Sequence, residues 1–152
     1  TFIMVTIFKA TKLLSLNDIG STGSHQSGIL IPKNERVLRV FPSLDPTAYN
    51  PDRIITVEVP QLGSIFPFRF VYYNNRRFGS GSRDEYRLTR MTGALRDLKA
   101  KEGDRLEFSL SDQANLKMLL LPPEEDYLIE QREILDPSSV INSRWRVTIH
   151  DQ

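Results

Sequence analysis

The sequence predicts an α+β domain that consists mainly of β-strands in a barrel-like arrangement. Short apolar segments of strand length recur along the chain, the segment from Phe66 to Tyr72 alternates strictly between aromatic and other residues, and Gly, Pro and Asn lie between the segments. Many short strands separated by turns are typical of barrels. The 152 residues are 39% hydrophobic and 26% charged, which is ordinary for a globular protein, so we expect residues 1–152 to form a single domain.

The first half of the chain combines strands with polar and Pro-rich connections. The apolar residues at 2–8 predict a buried strand, and residues 28–31 predict a short second strand. Pro32 suits the start of a helix, which would end at Pro42. A Pro-rich connection then leads to a strand over residues 53–59.

The second half contains most of the predicted sheet. Strict alternation from Phe66 to Tyr72 predicts a strand with one aromatic face, and the Gly-Ser tip at residues 79–82 separates it from a returning strand over residues 86–91. The remaining expected elements are a short helix capped by Thr92, strands over residues 105–110 and 116–121, an acidic helix opened by Pro122 and Pro123, and a closing strand over residues 144–150.

Composition excludes several classes of protein. The absence of Cys excludes a disulfide framework and a thiolate metal site, and it fits a reducing compartment. No apolar run is long enough to span a bilayer, and residues 2–8 lack the basic leader of a signal peptide. We therefore expect a cytoplasmic protein with no membrane partner. The net charge of +1 favours no class of partner by itself.

The sequence predicts no catalytic centre in these residues. Only His25 and His150 are present and there is no Cys, which excludes a Cys-His nucleophile pair and leaves too few histidines for a multi-His metal site. Asp52 and Glu58 are similar to the acidic cluster of metal-dependent nucleases, but Pro60 stands where such clusters carry Lys. A loop leading into a strand explains these acids better, and we expect no cofactor for this domain.

Basic residues concentrate in one segment. The chain has 14 Arg against 6 Lys, and seven of the Arg lie between positions 69 and 96. They are Arg69, Arg76, Arg77, Arg83, Arg87, Arg90 and Arg96. Glu85 lies among them on what the pattern predicts to be a projecting hairpin. Arg side chains match guanine O6 and N7, and a carboxylate can accept from cytosine N4, so Glu85 either reads a base or forms a salt bridge with Arg83 or Arg87.

A second unusual segment is the polar loop between residues 14 and 32. Its donors and acceptors include Asn17, Ser21, Thr22, Ser24, His25 and Gln26. Its glycines allow tight turns that expose backbone amides, which suit phosphate oxygens. The loop therefore either contacts phosphates and bases, or forms an Ω-loop in which Asn17 or Asp18 hydrogen-bonds its own turn.

Two long motifs in these segments carry a family likeness. The first is Leu14-Ser15-x-Asn17-Asp18-x-Gly20-x-Thr22-Gly23-x-His25-Gln26-x-Gly28, followed by Ile31-Pro32. The second is Tyr72-Tyr73-Asn74-x-Arg76-x-Phe78-Gly79, followed by Arg83-x-Glu85-x-Arg87-x-Thr89-Arg90. Together with residues 92–95 and 124–126, they resemble the amino-terminal effector-binding domain of EcoRII-type restriction endonucleases, in consistent order over nearly the whole chain.

This resemblance implies a DNA-binding pseudobarrel, an open barrel of roughly seven strands with short flanking helices. Such domains are related to the plant B-three transcription-factor domains and to the specificity domain of BfiI, and they grip the major groove with two arms. The amino-terminal arm corresponds to Ser15–Leu30 and the carboxy-terminal arm to Arg76–Arg90. The resemblance places DNA contacts at His25, Arg76, Arg83, Glu85 and Arg87. The further candidate contacts on the arms are Ser15, Asn17, Asp18, Thr22, Ser24, Gln26, Arg77, Ser82 and Arg90.

The chain departs from the family pattern at several arm positions. Leu30 stands where the EcoRII domain has Tyr, the tip at residues 80–82 is longer and lacks a Lys, and Tyr86 replaces another Lys. EcoRII-like domains read CCWGG, where W is A or T, and related domains read other GC-rich sites. Because Arg and Glu suit G·C pairs, CCWGG is the leading expected target.

We therefore expect a sequence-specific double-stranded DNA-binding domain, the effector or target-recognition module of a restriction endonuclease. Cleavage would belong to a separate catalytic domain or subunit, and only that part would use Mg²⁺. Two alternatives come from other classes. One is a protein-interaction barrel that uses its acidic helix on another subunit, and the other is a metal-dependent nuclease that uses Asp52 and Glu58.

Overall fold

Nine strands form one sheet in the part of the chain that the structure describes. The computed structural model describes residues 5–20, 28–124, 140–142 and 145–149. The strands are β1 (Thr6–Leu13), β2 (Ile29–Ile31), β3 (Asp52–Val59), β4 (Ser64–Tyr73), β5 (Glu85–Thr89), β6 (Arg105–Ser111), β7 (Leu116–Leu121), β8 (Val140–Asn142) and β9 (Trp145–Ile149). The helices are α1 (Glu35–Leu38) and α2 (Thr92–Asp97), and Pro60–Leu62 forms a 3-10 turn. Among the described residues, no helix is both long enough and apolar enough to span a membrane.

The sheet curls so that its two ends approach each other. The strand order is β2-β5-β4-β3-β7-β6-β1-β9-β8, and β3 and β7 form its parallel pair. Trp145 on β9 donates its indole N–H to the carbonyl oxygen of Leu30 on β2 at 3.2 Å. Because β2 is one edge of the sheet and β9 lies next to the other edge, this bond connects opposite ends of the sheet. The predicted mainly β pseudobarrel is confirmed, with nine described strands where roughly seven are expected.

The core lies inside the curl and is rich in aromatic rings. Phe68 and Phe70 point inward from β4, as the alternation predicts. Phe41 stacks on Phe70 with ring centroids 5.1 Å apart, and Phe108 stacks on Trp145 at 6.2 Å. These buried rings fill the space inside the curl of the sheet.

Several predicted boundaries differ from the structure. Helix α1 begins at Glu35 rather than Pro32, because the Asn34 side chain accepts a hydrogen bond from the Arg36 amide at 2.9 Å and caps the helix there. Thr92 is the first residue of α2 and not its cap, since Met91 occupies the N-cap position. Strand β1 runs on to Leu13, well beyond the predicted end of the first strand.

The predicted acidic helix lies almost wholly at residues 125–139, outside the described residues.

Candidate nucleic-acid interface

The two arms meet at strand β5. Strand β2, which ends the amino-terminal arm, pairs with β5 so that Ile29 lies opposite Leu88 and Leu30 lies opposite Arg87. Gly28 precedes this pairing at a φ of +82°, and a side chain there would overlap the Leu88 carbonyl oxygen. The amino-terminal arm therefore ends directly against the backbone of the strand that ends the carboxy-terminal arm.

Alternation along β4 and β5 separates an aromatic inner face from a charged outer face. Tyr73 lies opposite Glu85, and Arg69 lies opposite Thr89. Because side chains at opposite positions of a strand pair share a face, these four lie on one side of the sheet, together with Arg87. On that side Arg87 and Thr89 are buried, while Arg69, Tyr73 and Glu85 are partly exposed. We call the charged patch formed by Arg69, Tyr73, Glu85 and Arg87 the outer face.

Glu85 is held between two arginines. Arg83 Nε donates to Glu85 Oε1 at 3.2 Å, and Arg87 Nε donates to Glu85 Oε2 at 2.9 Å. The salt-bridge alternative from the sequence is therefore present in the structure, and it involves both arginines. It does not exclude base recognition by Arg83, because a guanidinium has five N–H donors and Nε is one of them.

Arg83 also lies over the ring of Tyr73, with its Cζ atom 3.6 Å from the ring centroid. The hydroxyl group of Tyr73 accepts a hydrogen bond from Arg69 Nη1 at 3.2 Å. Arg69 Nε in turn donates to Asp52 Oδ2 at 2.7 Å, and this bond raises the pKa of the Arg69 guanidinium. A connected row of side chains thus extends from β3 to the carboxy-terminal arm. Sequence reasoning did not identify this row.

The two carboxylates of the nuclease alternative are far apart. Asp52 and Glu58 are six residues apart on β3. At about 3.3 Å per strand residue, their Cα atoms are roughly 20 Å apart. Metal–oxygen bonds are about 2.0–2.6 Å long, so the two side chains do not share an ion. No group of three or more acidic or His side chains within the described ranges is placed to hold a metal, and the alternative built on this pair fails on distance.

The base of the carboxy-terminal arm is fastened to the Pro-rich loop at residues 46–50, which we call the buttress loop. The side chain of buried Asn74 accepts from the Asn50 amide at 2.7 Å and donates to the Ala48 carbonyl at 2.7 Å. The Asn50 side chain accepts from the Asn74 amide at 3.0 Å. Arg77 Nη1 donates to the Pro46 carbonyl at 2.9 Å, so this predicted DNA contact also holds the buttress loop.

The tip of the carboxy-terminal arm folds on itself and packs on Tyr49. The Ser80 amide donates to the Asn75 carbonyl at 3.0 Å. The Tyr49 hydroxyl accepts from the side chains of Asn75 and Ser80, each at 3.0 Å, and its ring meets Phe78 edge-on at 5.4 Å. The predicted contacts that are exposed on this arm are Arg76, Arg77, Ser82, Arg83 and Arg90.

A tyrosine and a lysine fasten the remaining side of this arm. Tyr72 donates its hydroxyl to Asp84 Oδ1 at 2.6 Å, which raises the pKa of Tyr72 to about 12 because loss of the proton would put two negative oxygens together. Lys33, which follows β2, pairs with the same carboxylate, and its hydrogen bond is the main reason that the pKa of Asp84 is lowered. Tyr72 also stacks on Tyr86 at 4.4 Å.

In the amino-terminal arm, the described contacts stabilise its first turn. Asp18 Oδ2 accepts from Lys12 Nζ at 2.8 Å and from the Ser15 amide at 2.9 Å, and Ser15 Oγ accepts from the Asp18 amide at 3.2 Å. Only 6% of the Lys12 side chain and 10% of the Asp18 side chain are exposed. Asp18 thus hydrogen-bonds its own turn, while Asn17 on the same turn is exposed.

Four predicted contacts of this arm lie outside the described residues: Thr22, Ser24, His25 and Gln26.

Comparisons with known proteins point to one family. The family model described as restriction endonuclease EcoRII, N-terminal, matches residues 4–128. The type II restriction enzyme EcoRII of Escherichia coli is 40% identical over 89 residues, which are 57% of this chain and 22% of that enzyme. The matched residues therefore span less than a quarter of the length of that relative.

A solved structure has the same fold. The B3 domain of the UbaLAI restriction endonuclease, crystallised with cognate DNA, matches with a TM-score of 0.56 at 15% identity. The match covers 95% of this chain and 87% of the other.

Proposed function

Because the chain belongs to the restriction endonuclease EcoRII N-terminal family, we propose that it binds double-stranded DNA sequence-specifically as an effector or target-recognition domain. The observation that carries this proposal is the pair of arginines that flank Glu85 at the edge of the outer face. In this family such a domain belongs to a DNA-cleaving enzyme, and an Arg-Glu-Arg cluster has the chemistry of G·C recognition.

In this proposal the two arms enter the major groove on either side of β5. The guanidinium groups of Arg83 and Arg87 donate to guanine O6 and N7, while Glu85 accepts from cytosine N4. Glu85 would repel phosphates, so it favours a place at the base edges rather than at the DNA backbone. The leading target remains CCWGG, with other GC-rich sites as the alternative.

Glu85 can accept from a base while it keeps its arginine partners. In the free protein its two oxygens accept from Arg83 and Arg87. A cytosine amino group can join one of these oxygens, because each carboxylate oxygen has more than one acceptor direction. The salt bridges thus keep Glu85 and both arginines in one cluster before DNA arrives.

Other arm residues position the domain on the DNA backbone. Exposed Arg76 and Arg90 have the charge and reach for phosphate contacts. Arg77 contributes charge at the same edge while it holds the Pro46 carbonyl. We assign Ser82 to phosphate or base contacts. The same assignment covers the polar side chains of the amino-terminal arm, which are Asn17, Thr22, Ser24, His25 and Gln26. Ser15 and Asp18 act by holding the first turn of that arm.

Cleavage is assigned to a separate catalytic domain or subunit. The match covers 22% of the length of the EcoRII relative, so most of that enzyme lies outside the matched part. Mg²⁺ would be needed only by that catalytic part. The domain itself would bind DNA without a cofactor.

Selection of bound sites from a library of random duplexes tests the proposal. We expect enrichment of one GC-rich sequence, and an affinity that falls steeply as salt rises because bound phosphates release counterions. Absence of enrichment together with salt-independent behaviour would favour the protein-interaction alternative. A second experiment incubates plasmid DNA with the 152-residue chain and Mg²⁺. Cleavage of the plasmid would overturn the assignment of catalysis to another domain.

A further inference from the structure

The row of side chains that leads from β3 to the carboxy-terminal arm has a use beyond packing. We propose that Tyr73, held in place by Arg69 and Asp52, is a positioning residue that orients Arg83 for base recognition. The proposal rests on the proposed function, because it assigns a determinant of specificity to residues that do not themselves read a base.

Arg83 needs orientation because it is an exposed side chain on a loop. Its side chain is 43% exposed. The salt bridge to Glu85 fixes one atom of the guanidinium, Nε, at 3.2 Å. Rotation about that contact would still change the direction of the terminal nitrogens. The ring of Tyr73, 3.6 Å from the Cζ atom, restricts this rotation and gives the guanidinium a surface to lie on.

The ring is itself fixed by a residue of its own strand, which is held in turn by a residue of the neighbouring strand β3. Tyr73 ends β4 opposite Glu85, so the base of its side chain is set by the sheet register. Its hydroxyl is bound by Arg69 at 3.2 Å, and Arg69 is bound by Asp52 at 2.7 Å. Since Asp52 offsets the charge of Arg69, these residues add little net attraction for phosphates. Their effect is on geometry.

Geometry matters most for recognition of a specific base. A bidentate bond from Arg to guanine requires the two donors to lie in the plane of the base edge. Attraction to phosphates tolerates many orientations. Loss of the Tyr73 ring should therefore reduce discrimination between sites while leaving binding to unrelated DNA nearly unchanged.

The test uses the duplex selected by the unmodified 152-residue chain and a set of duplexes that each differ from it by one G·C pair. Tyr73→Leu removes the ring and the hydroxyl, Tyr73→Phe keeps the ring, and Asp52→Asn weakens the hold on Arg69. Ile65→Ala is the matched control, because Ile65 is on the same strand and the same face and is 68% exposed.

We expect Tyr73→Leu to lower the affinity ratio of selected to altered duplex by about three- to tenfold at one base pair. Tyr73→Phe should keep most of this ratio, with a loss below about threefold, and Asp52→Asn, which only loosens Arg69, should lose no more than Tyr73→Phe. Affinity for an unrelated duplex should stay within about twofold for both Tyr73 variants, as for Ile65→Ala. Asp52→Asn removes the charge that offsets Arg69, so it is compared only by the ratio of selected to altered duplex.

The outcomes separate this inference from the function on which it rests. If the unmodified chain prefers no sequence, the proposed function fails and the inference fails with it. If the unmodified chain discriminates and Tyr73→Leu discriminates equally well, the inference alone is wrong. If Tyr73→Leu and Tyr73→Phe lose discrimination equally, the ring is not the positioning element and the proposal is overturned. A parallel loss of affinity for all duplexes would indicate a structural role and would also overturn it.

Discussion

The two arms each contain one carboxylate among their predicted DNA contacts, and the two are held in opposite ways. Asp18 in the amino-terminal arm binds Lys12 and the Ser15 amide, in a pair that is almost wholly buried. Glu85 in the carboxy-terminal arm binds Arg83 and Arg87, which are themselves predicted DNA contacts. Family resemblance places both acids on the arms. Their surroundings distinguish a carboxylate that stabilises an arm from one that is held among the residues expected to read bases.

The arms also differ in what holds them to the barrel. The carboxy-terminal arm is fastened by side chains, chiefly the reciprocal bonds between Asn50 and Asn74. The described end of the amino-terminal arm is held by the backbone pairing of β2 with β5 and by the close approach of Gly28 to Leu88. The carboxy-terminal arm therefore depends on particular side chains. The amino-terminal arm depends on a glycine at position 28, where a side chain would not fit.

Substitution of Gly28 should have the largest effect on folding. Gly28→Ala adds a Cβ that overlaps the Leu88 carbonyl and forces a non-glycine residue to positive φ. We expect a loss of about 2–5 kcal/mol in the free energy of unfolding, measured by denaturant titration. Gly20→Ala is the control, since Gly20 has a φ of +80° with nothing within 4 Å, and it should lose only about 1–2 kcal/mol. Equal losses of stability in Gly28→Ala and Gly20→Ala would contradict the close approach of Gly28 to the Leu88 carbonyl.

Removal of the charge of Asp18 should be the next largest effect. Asp18→Asn takes away the anionic partner of a nearly buried ammonium, that of Lys12, and should lower the free energy of unfolding by about 2–3 kcal/mol. Affinity for DNA, measured well below the unfolding transition, should change much less than stability. A variant that folds normally and loses site preference would instead place Asp18 at the bases.

Arg87→Ala should act on binding. Because Arg87 supplies one guanidinium of the Glu85 cluster, we expect its loss to cost about 1–3 kcal/mol of binding free energy and to relax specificity at one base pair. The measurement is a titration against the selected duplex and against duplexes that each carry one altered base pair. Full affinity together with full discrimination would contradict the placement of this arm on the DNA.

Glu85→Gln provides the direct contrast with Asp18→Asn. Glu85 is partly exposed, but the Arg87 side chain is only 10% exposed, so loss of the ion pairs should lower the free energy of unfolding by about 1–2 kcal/mol. The preference for cytosine at the contacted pair should fall, because an amide offers one acceptor oxygen where a carboxylate offers two. Unchanged preference across duplexes altered at each cytosine would mean that Glu85 only holds the two arginines.

The smallest effect is a shift in the titration of Tyr72. Its pKa is raised to about 12, so the hydrogen bond to Asp84 contributes stability fully below the ordinary value of 10.0 and is lost as the pH rises through about 12. Asp84→Asn should bring the pKa of Tyr72 back toward 10.0, as followed by NMR of its ring. Asp45→Asn is the control, because it also removes one carboxylate charge but Asp45 is hydrogen-bonded to Thr47 and not to Tyr72. It should leave the pKa of Tyr72 unchanged. A pKa of Tyr72 near 10.0 in the unmodified chain would contradict the hydrogen bond between Tyr72 and Asp84.

Local patterns predicted which side chains share a face. The alternation of Phe68 and Phe70 identified the aromatic face of β4, which the structure buries. The nearness of Glu85 to Arg83 and Arg87 in sequence predicted a salt bridge as one alternative, and the structure contains it. The start of α1 was misplaced because Pro32 is a typical first helical residue, whereas the capping bond from Asn34 decided the boundary. Strand alternation and helix capping are local signals that act over a few residues. They predict structure correctly where those few residues alone decide the backbone geometry.

The sequence by itself determined the strand periods, the polar and basic character of the two arms, and the motifs that indicate the family. Only the tertiary structure decided that Asp52 holds Arg69, and that Asn50 and Asn74 bind each other across 24 residues of chain. Those contacts depend on which strands are neighbours and on their register, with Asp52 opposite Val71 in the β3–β4 pair. A shift of one residue would turn each side chain to the other face. The register is set by the packing of the whole sheet around its aromatic core, and no short segment carries that information.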